Sequence, residues 1–252
     1  MKHDRVRHEL ILGRLSTDQR IGVAETAEEL GVSMETIRRD LKLLEERGQL
    51  RRIHGGAIPP AAQQDRPLQE RSGIAAIEKA QLAALVLPML QTGMSIFLDT
   101  GTTTLAIARE LVAAPPLVVF TNSLDIALLI GRSPQHSVQV TGGSLRNNDN
   151  ALVGYDTLAV ARKYTFDLSL LGIAAIDEEG FMDFADEEAE LRRVLVRQSR
   201  QTAIVADHGK FGRRARIRTL HFRDVQSLVT DRAPPPAFAD AIQAAGVEII
   251  HG

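Results

Sequence analysis

The hexapeptide Asp99-Thr-Gly-Thr-Thr-Thr104 lies between an apolar run, Ser95 to Leu98, and a helix-like segment, Leu105 to Leu111. Backbone N–H groups at such a helix start, joined by neighbouring hydroxyls, form a site for a phosphate or carboxylate. An ordinary threonine-rich helix cap is the alternative. A second candidate is Gly142-Gly143-Ser-Leu-Arg146, where paired glycines permit close backbone approach and Arg146 can clamp an anion with two donors. The third is Asp207-His-Gly-Lys210-Phe-Gly212, in which a lysine held between glycines can point its ammonium at an oxyanion or serve only as a surface charge. None of these is a Walker loop, because the Gly-x-x-x-x-Gly-Lys spacing is missing, and no Gly-x-Gly-x-x-Gly supports a dinucleotide.

A different chemistry is written near the N-terminus. Gly31 can end one helix in a left-handed conformation and Ser33 can cap the next, which makes a tight helix-turn-helix corner. After Ser33, Ile37, Leu41 and Leu44 mark the buried stripe of a helix whose other side carries Glu35, Arg38, Arg39 and Lys42. Adjacent exposed arginines near a helix start suit the major groove, where guanidinium forks reach guanine edges or phosphates. Val6, Leu10, Ile11 and Leu15 predict a first helix, and Ala24 to Leu30 a second with Ala27 and Leu30 inward. Gly48 is placed to stop the reading helix, and Leu50-Arg51-Arg52-Ile53-His54 before Gly55-Gly56 predicts a basic wing that turns back at the glycines.

The elements that must position the anion-binding groups follow from the pattern downstream. Seven short apolar runs, at 95–98, 117–120, 138–140, 168–171, 203–205, 228–229 and 247–250, alternate with helix-like segments. This predicts a mostly parallel sheet covered by helices, with ligands beyond the carboxyl ends of the strands. The stretch from Ile58 to Pro67 holds three prolines and no periodicity, which predicts a linker, and Pro234-Pro235-Pro236 a rigid loop. The expected division is a DNA-reading domain over 1–57, a linker over 58–77 and an α/β domain over 78–252.

The chain has 252 residues, a net charge of −2, 44% hydrophobic content and no cysteine. It lacks a signal-peptide-shaped leader and an apolar stretch long enough to span a bilayer, so a cytoplasmic protein with no membrane partner is expected. Balanced charge excludes a DNA-compacting protein and implies few phosphate contacts per subunit, so a homo-oligomer, dimer or tetramer, on a two-half-site operator is expected. The seven histidines show no pairing at ligand spacing, so neither metal nor resident cofactor is expected.

Val32-Ser-x-x-Thr-Ile-Arg-Arg-Asp-Leu41, followed by Leu50-x-Arg-x-His-Gly-Gly-Ala57, resembles the DeoR family of bacterial transcriptional repressors. The likeness continues through Asp99-x-Gly-Thr-Thr, Thr121-Asn-Ser123, Gly142-Gly-x-Leu-Arg146, Glu188-Ala-x-Leu-Arg-Arg193 and Asp207-x-x-Lys-Phe-Gly212, and so covers nearly the whole chain. It implies double-stranded operator DNA as partner, read by Ser33, Thr36, Arg38, Arg39 and Lys42, with Arg51, Arg52, His54 and Gly55 on the wing. It also implies an α/β domain similar in fold to ribose-5-phosphate isomerase that binds a phosphorylated effector. The implied effector residues are Asp99, Gly101, Thr102, Thr103, Asn122, Gly143, Arg146, Glu188 and Lys210. The runs Leu171 to Asp177, Asp183-Phe184 and Asp207-His208 are most similar to members that answer to glycerol 3-phosphate. Two positions depart from the family pattern: Gly209 stands where serine is frequent, and Arg192 where lysine is frequent. A sugar-phosphate isomerase using Asp207, Glu188 and Lys210 as acid–base groups is the competing reading, but an isomerase has no use for residues 1–57, and no enzyme activity is expected.

Overall fold

Gly31 takes the left-handed conformation the corner requires, φ +63°, and the N-terminal unit, Met1–Gln64, is built around it. In the computed structural model, which describes residues 2–18, 20–46, 49–58, 68 and 73–252, this unit runs α1 (Lys2–Asp18), β1 (Ile21–Gly22), α2 (Val23–Glu29), α3 (Met34–Glu46), β2 (Arg51–Ile53) and β3 (Gly56–Ile58). Ile37, Leu41 and Leu44 of α3 pack with Ile11, Leu15, Ala27, Leu50 and Ala57 into one small core. The four apolar residues from which α1 was read divide between its faces: Ile11 and Leu15 are buried, while Val6 and Leu10 are each 54% exposed. Gly48 lies outside the described residues.

The wing is a three-stranded antiparallel sheet in the order β1-β3-β2. Strand β1 was not foreseen; two residues carry no periodicity. Of the two glycines, Gly55 makes the turn, at φ +79°. Gly56 does not turn but lies within β3, where a Cβ would sit 2.0 Å from the Ile21 carbonyl oxygen. Its hydrogen lets β3 close onto β1.

The second unit is Asp65–Gly252. The expected linker falls mostly outside the described residues. Of its described positions, Ile58 ends β3, and Leu68 is buried with its N–H donated to the Asn148 carbonyl at 3.0 Å. Then come α4 (Ala76–Val86), β4 (Ser95–Leu98), α5 (Thr102–Leu111), β5 (Val118–Thr121), α6 (Leu124–Ile130), β6 (Ser137–Val140), β7 (Ser144–Arg146), β8 (Ala151–Val153), α7 (Tyr155–Lys163), β9 (Phe166–Gly172), β10 (Ala175–Asp177), β11 (Gly180–Asp183), α8 (Asp186–Gln198), β12 (Ser199–Val205), β13 (Ile217–His221), β14 (Ser227–Thr230), α9 (Pro236–Ala244) and β15 (Glu248–His251). Pro236 opens α9, where a missing N–H costs nothing.

Each of the seven apolar runs becomes one strand of a seven-stranded sheet, ordered β15-β14-β12-β9-β4-β5-β6, and every pairing in it is parallel. Alternate strand residues feed two cores. Ile96, Leu98, Val119 and Leu168 meet α4, α5 and α6 on one face, and Phe97, Phe120, Phe166 and Leu171 share the other with α7, α8 and α9. The chain lays down β4, β5 and β6 outward in one direction, then returns to β9 and proceeds the other way. The order therefore reverses between β4 and β9, the kind of switch point at which open parallel sheets bind ligands. Two additions were not anticipated, a hairpin of β7 with β8 and an antiparallel sheet β10-β11-β13.

Replacing Gly56 with alanine drives a methyl into backbone, so Gly56→Ala should destabilise the N-terminal unit by more than about 2 kcal/mol, read from its unfolding transition in denaturant. A loss below about 0.5 kcal/mol, the level of an ordinary surface substitution, would contradict the tight β1–β3 closure.

Candidate functional site

The Asp99 loop leaves β4 at the reversal point. Asp99 is 1% exposed, and its Oδ1 accepts the Thr100 N–H at 2.8 Å, a donor shared with Asn122 Oδ1 at 3.1 Å. Asn122 follows β5, the neighbouring strand, and Leu152 of β8 ties to it by donating its N–H to the Asn122 carbonyl at 2.7 Å. Gly101 takes φ +143°, which glycine adopts without strain, and so aims α5 away from the loop. The first N–H groups of α5 have no carbonyl behind them within the helix. Thr104 turns its hydroxyl back to the Gly101 carbonyl at 3.0 Å, Thr102 is half-buried and Thr103 buried. The Thr100 hydroxyl is buried with no hydrogen-bond partner among the described residues. An orphaned hydroxyl beside free helix amides suits an oxyanion.

Arg192, from α8, is the centre of the charged groups. Its Nε donates to Asp99 Oδ2 at 2.7 Å, and its Nη1 lies 2.5 Å from Asp183 Oδ2 and 3.4 Å from Glu188 Oε2. Asp183, ending β11, also accepts the Thr219 hydroxyl at 2.7 Å and the Ala174 N–H at 3.2 Å. Glu188 reaches on to Arg146, and Arg146 grips Asp149 through Nε at 3.0 Å and Nη2 at 2.6 Å. Arg146 was expected to clamp an external anion; its fork is closed on carboxylates of this chain.

One connected network thus gathers Asp99, Asn122, Arg146 and Glu188, with Asp149, Asp183 and Arg192 added. It sets four carboxylates, Asp99, Asp149, Asp183 and Glu188, against two guanidiniums. Burial pushes the Asp99 carboxyl up to about 6 from an ordinary 3.8; Arg192 pulls it down, while Glu188 and Asp183 add to the rise. Burial raises Asp183 as well, against the pull of Arg192.

Two further expected residues are Gly143 and Lys210. Gly143, φ +124°, is needed by the fold itself, since a Cβ there would meet Thr157 Oγ1 at 2.4 Å and the Val153 carbonyl at 2.5 Å. The close backbone approach that the glycines allow is made by this chain's own β8 and α7. Lys210 belongs to a short 3-10 turn, His208–Lys210, capped by Asp207, whose Oδ1 accepts the Gly209 N–H at 3.0 Å. A Cβ at Gly209 would stand 2.9 Å from that same oxygen, so serine there requires the Asp207 carboxylate to give way. The turn leaves the end of β12, two strand spacings from β4, about 10 Å, and a lysine can span much of that distance. Beside it, Asp231 at the end of β14 takes the His208 N–H at 2.6 Å and His208 Nδ1 at 2.8 Å.

In the N-terminal unit, Ser33 caps α3 as expected, its Oγ accepting the Thr36 N–H at 3.1 Å. Arg38, Arg39 and Lys42 are exposed along α3, with Arg38 3.4 Å from Glu35. On the wing, Arg51, His54 and Gly55 are exposed, while Arg52 donates its Nε to Glu45 Oε2 at 2.8 Å and ties the wing to α3. Asp40, on the inner side of α3, holds Arg7 Nε at 2.5 Å and His8 Nε2 at 3.0 Å. Burial works to raise its carboxyl, but the bonds to Arg7 and His8 outweigh that and hold it below 3.8.

Sequence reasoning did not single out Asp149 or Thr219, and named Asp183 only within the run 183–184 that carries part of the resemblance. It mentioned Arg192 only as a replaced lysine. Its place four residues after Glu188, on the same helix face, was the available signal.

A winged helix-turn-helix joined to a parallel α/β domain with a polar, charged network at its order reversal defines a two-domain transcriptional regulator. Residues 7–63 match the DeoR-like helix-turn-helix domain and residues 74–232 the DeoR C terminal sensor domain, and the chain belongs to the DeoR family of transcriptional repressors. It is 34% identical to the glycerol-3-phosphate regulon repressor of Haemophilus influenzae, over 91% of this chain and 90% of that one. Identity to the Escherichia coli protein of the same name is 33%, over 91% of each. Identity to the HTH-type transcriptional repressor GlcR of Bacillus subtilis is 31%, over 95% of this chain and 93% of that. Among solved structures, ribose 5-phosphate isomerase A of Methanocaldococcus jannaschii aligns with 54% of this chain and 55% of its own, at 14% identity and a TM-score of 0.40. Among the described residues no helix is long and apolar enough to cross a membrane.

The raised Asp99 fixes a sign for pH dependence. The folded state holds this proton more tightly than the unfolded chain does, so its contribution is full below 3.8 and is lost as pH rises through about 6. Measured by denaturant unfolding, the stability of the parent minus that of Asp99→Asn should fall by about 2–3 kcal/mol between pH 4 and pH 7. A difference that stays flat or rises would mean that Asp99 is not raised.

Proposed function

We propose that this chain is an operator-bound repressor released by a phosphorylated effector, and that the effector is glycerol 3-phosphate. The observation that carries the reading is the Asp99–Gly101 loop, which leads from β4 into α5 where the strand order reverses and holds a buried Thr100 hydroxyl with no hydrogen-bond partner among the described residues. The relatives named as glycerol-3-phosphate regulon repressors support the choice of ester. In this reading α3 enters the major groove with Arg38 and Arg39 forward, and the wing adds phosphate contacts through Arg51 and His54. Few basic groups face the DNA on each copy, so two copies on two half-sites supply the affinity.

Release requires that the ester bind the DNA-free state more tightly than the DNA-bound one, since equal affinity would shift nothing. Phosphate oxygens at the start of α5 and Lys210 across from them would draw the ends of β4 and β12 together.

The repressor reading is tested by fluorescence anisotropy of a labelled duplex from upstream of the neighbouring operon, titrated at fixed salt and then challenged with glycerol 3-phosphate or inorganic phosphate. Release by the ester alone is expected. Failure of the protein to prefer this duplex over random sequence would end the reading.

Two substitutions should separate the halves of the mechanism. Arg39→Ala should weaken operator binding about tenfold or more while calorimetric effector affinity is kept. Lys210→Ala should bind operator normally and need about tenfold more ester for release. A Lys210→Ala protein that responds like the parent would remove Lys210 from the pocket.

A further inference from the structure

We propose that Leu68 is the output contact of the sensor unit: it sits against α5 and the 147–150 loop while operator is bound, and leaves that seat when the ester binds. The inference rests on the effector reading above and concerns how that site reports to the rest of the chain.

Apart from Pro67, every residue around Leu68 from Gln63 to Ser72 is polar or charged. Leu68 itself is only 8% exposed, and its N–H donates to the Asn148 carbonyl at 3.0 Å. With Leu105, Arg109, Leu129, Asn148 and Asn150 it lines a cavity of about 540 Å³. One leucine taken out of water amid polar neighbours acts as an anchor. Held by a backbone hydrogen bond at the edge of a cavity, it can open without unfolding either core of the sensor unit. Seated and unseated are the two states that a switch requires.

Both walls of the seat lead to the Asp99 loop. Leu105 lies in the first turn of α5 and donates its N–H to the Gly101 carbonyl at 2.9 Å. The first wall is therefore the turn of helix whose amides face the phosphate. In the second wall, Asp149 is gripped by Arg146 through Nε at 3.0 Å and Nη2 at 2.6 Å. Arg146 meets Glu188, Glu188 meets Arg192, and Arg192 holds Asp99 at 2.7 Å. Asn150, left-handed at φ +52°, ties the same loop to α6: its carbonyl accepts the Leu124 N–H at 3.0 Å, and its Nδ2 donates to Asp125 Oδ2 at 3.2 Å. An oxyanion at the start of α5 adds charge beside Asp99 and engages the donors around Thr100, so one binding event displaces both walls.

Leu68 lies in sequence between the wing, whose last strand ends at Ile58, and the body of the sensor unit. Seated, it shortens the length of chain joining the two. A shorter tether raises the effective concentration of a second reading helix at its half-site, and release of the seat lowers it.

Amide exchange in the full-length parent protein, followed by mass spectrometry of overlapping peptides that resolve residue 68, reads the seat directly. Operator duplex should slow exchange of the Leu68 amide, and glycerol 3-phosphate should speed it about tenfold. Leu68→Ala, which weakens the seat, should bind glycerol 3-phosphate about fivefold more tightly in calorimetry and operator about fivefold more weakly in anisotropy. Leu68→Met, which keeps an apolar body of similar volume, should behave as the parent. Shifts of opposite sign separate a switch from a structural residue, whose loss weakens both affinities or neither. Leu68 exchange indifferent to the ester, or affinities in Leu68→Ala that are unchanged or move together, overturns the inference and leaves the effector reading standing. A parent protein that does not bind the ester removes both, and the exchange measurement decides the matter even if a variant fails to fold.

Discussion

The buried guanidinium of Arg192 is the contact on which the sensor unit depends. An ion nearly removed from water is tolerable only if its charge is met and its donors are used. Arg192 is met by Asp99 at the end of β4, Asp183 at the end of β11 and Glu188 one turn back on its own helix. The planar fork of arginine can address carboxylates in several directions at once, where a lysine offers a single point charge. The main sheet, the small antiparallel sheet and α8 are thereby referenced to one group, and the Asp99 loop takes its position from it. Through Glu188 the reference extends to Arg146 and the β7–β8 hairpin.

The N-terminal unit repeats the device with the sign reversed. Asp40 is a nearly buried anion on the inner side of the reading helix, and Arg7 and His8 of α1 close over it. The outer side of α3 is left free of structural duty, which allows Arg38 and Arg39 to face solvent. In both units a buried charge, Asp40 in one and Arg192 in the other, sets the local geometry.

The seven strands of the main sheet were legible because a parallel strand covered on both faces reads as an unbroken apolar run, and 95–98, 117–120 and 168–171 have no other plausible use. The helix-turn-helix was legible for a similar reason, since Gly31, Ser33 and the 37-41-44 spacing report local geometry. Strands β1, β10 and β11 were not, being two to four residues long, with β1 and β11 held by partners, β3 and β13, distant in sequence. The charged centre was hidden more completely. Asp186-Glu-Glu188 followed by Arg192-Arg193 reads as a solvated helix, and only the approach of Asp99, 93 positions earlier, makes Arg192 an interior residue. Gly142-Gly143 misled in the opposite way: paired glycines announce a close approach without saying what approaches, and for Gly143 it is the Val153 carbonyl and Thr157. Separations of this kind are resolved by packing, and a linear pattern cannot carry them.

Because all seven strands point the same way, the sheet has two unlike rims. The Asp99 loop, Asn122, the 208–210 turn and Asp231 all stand on one rim, while the loops that carry the chain back into each strand occupy the other. Drift on the returning rim is felt as a change in folding free energy, whereas on the first rim the positions outside the Asp99–Arg192 network can vary while the cores beneath stay intact. Such a scaffold can change the loops of one rim by a handful of substitutions without renegotiating its foundations, and evolvability is thus built into the direction of its strands.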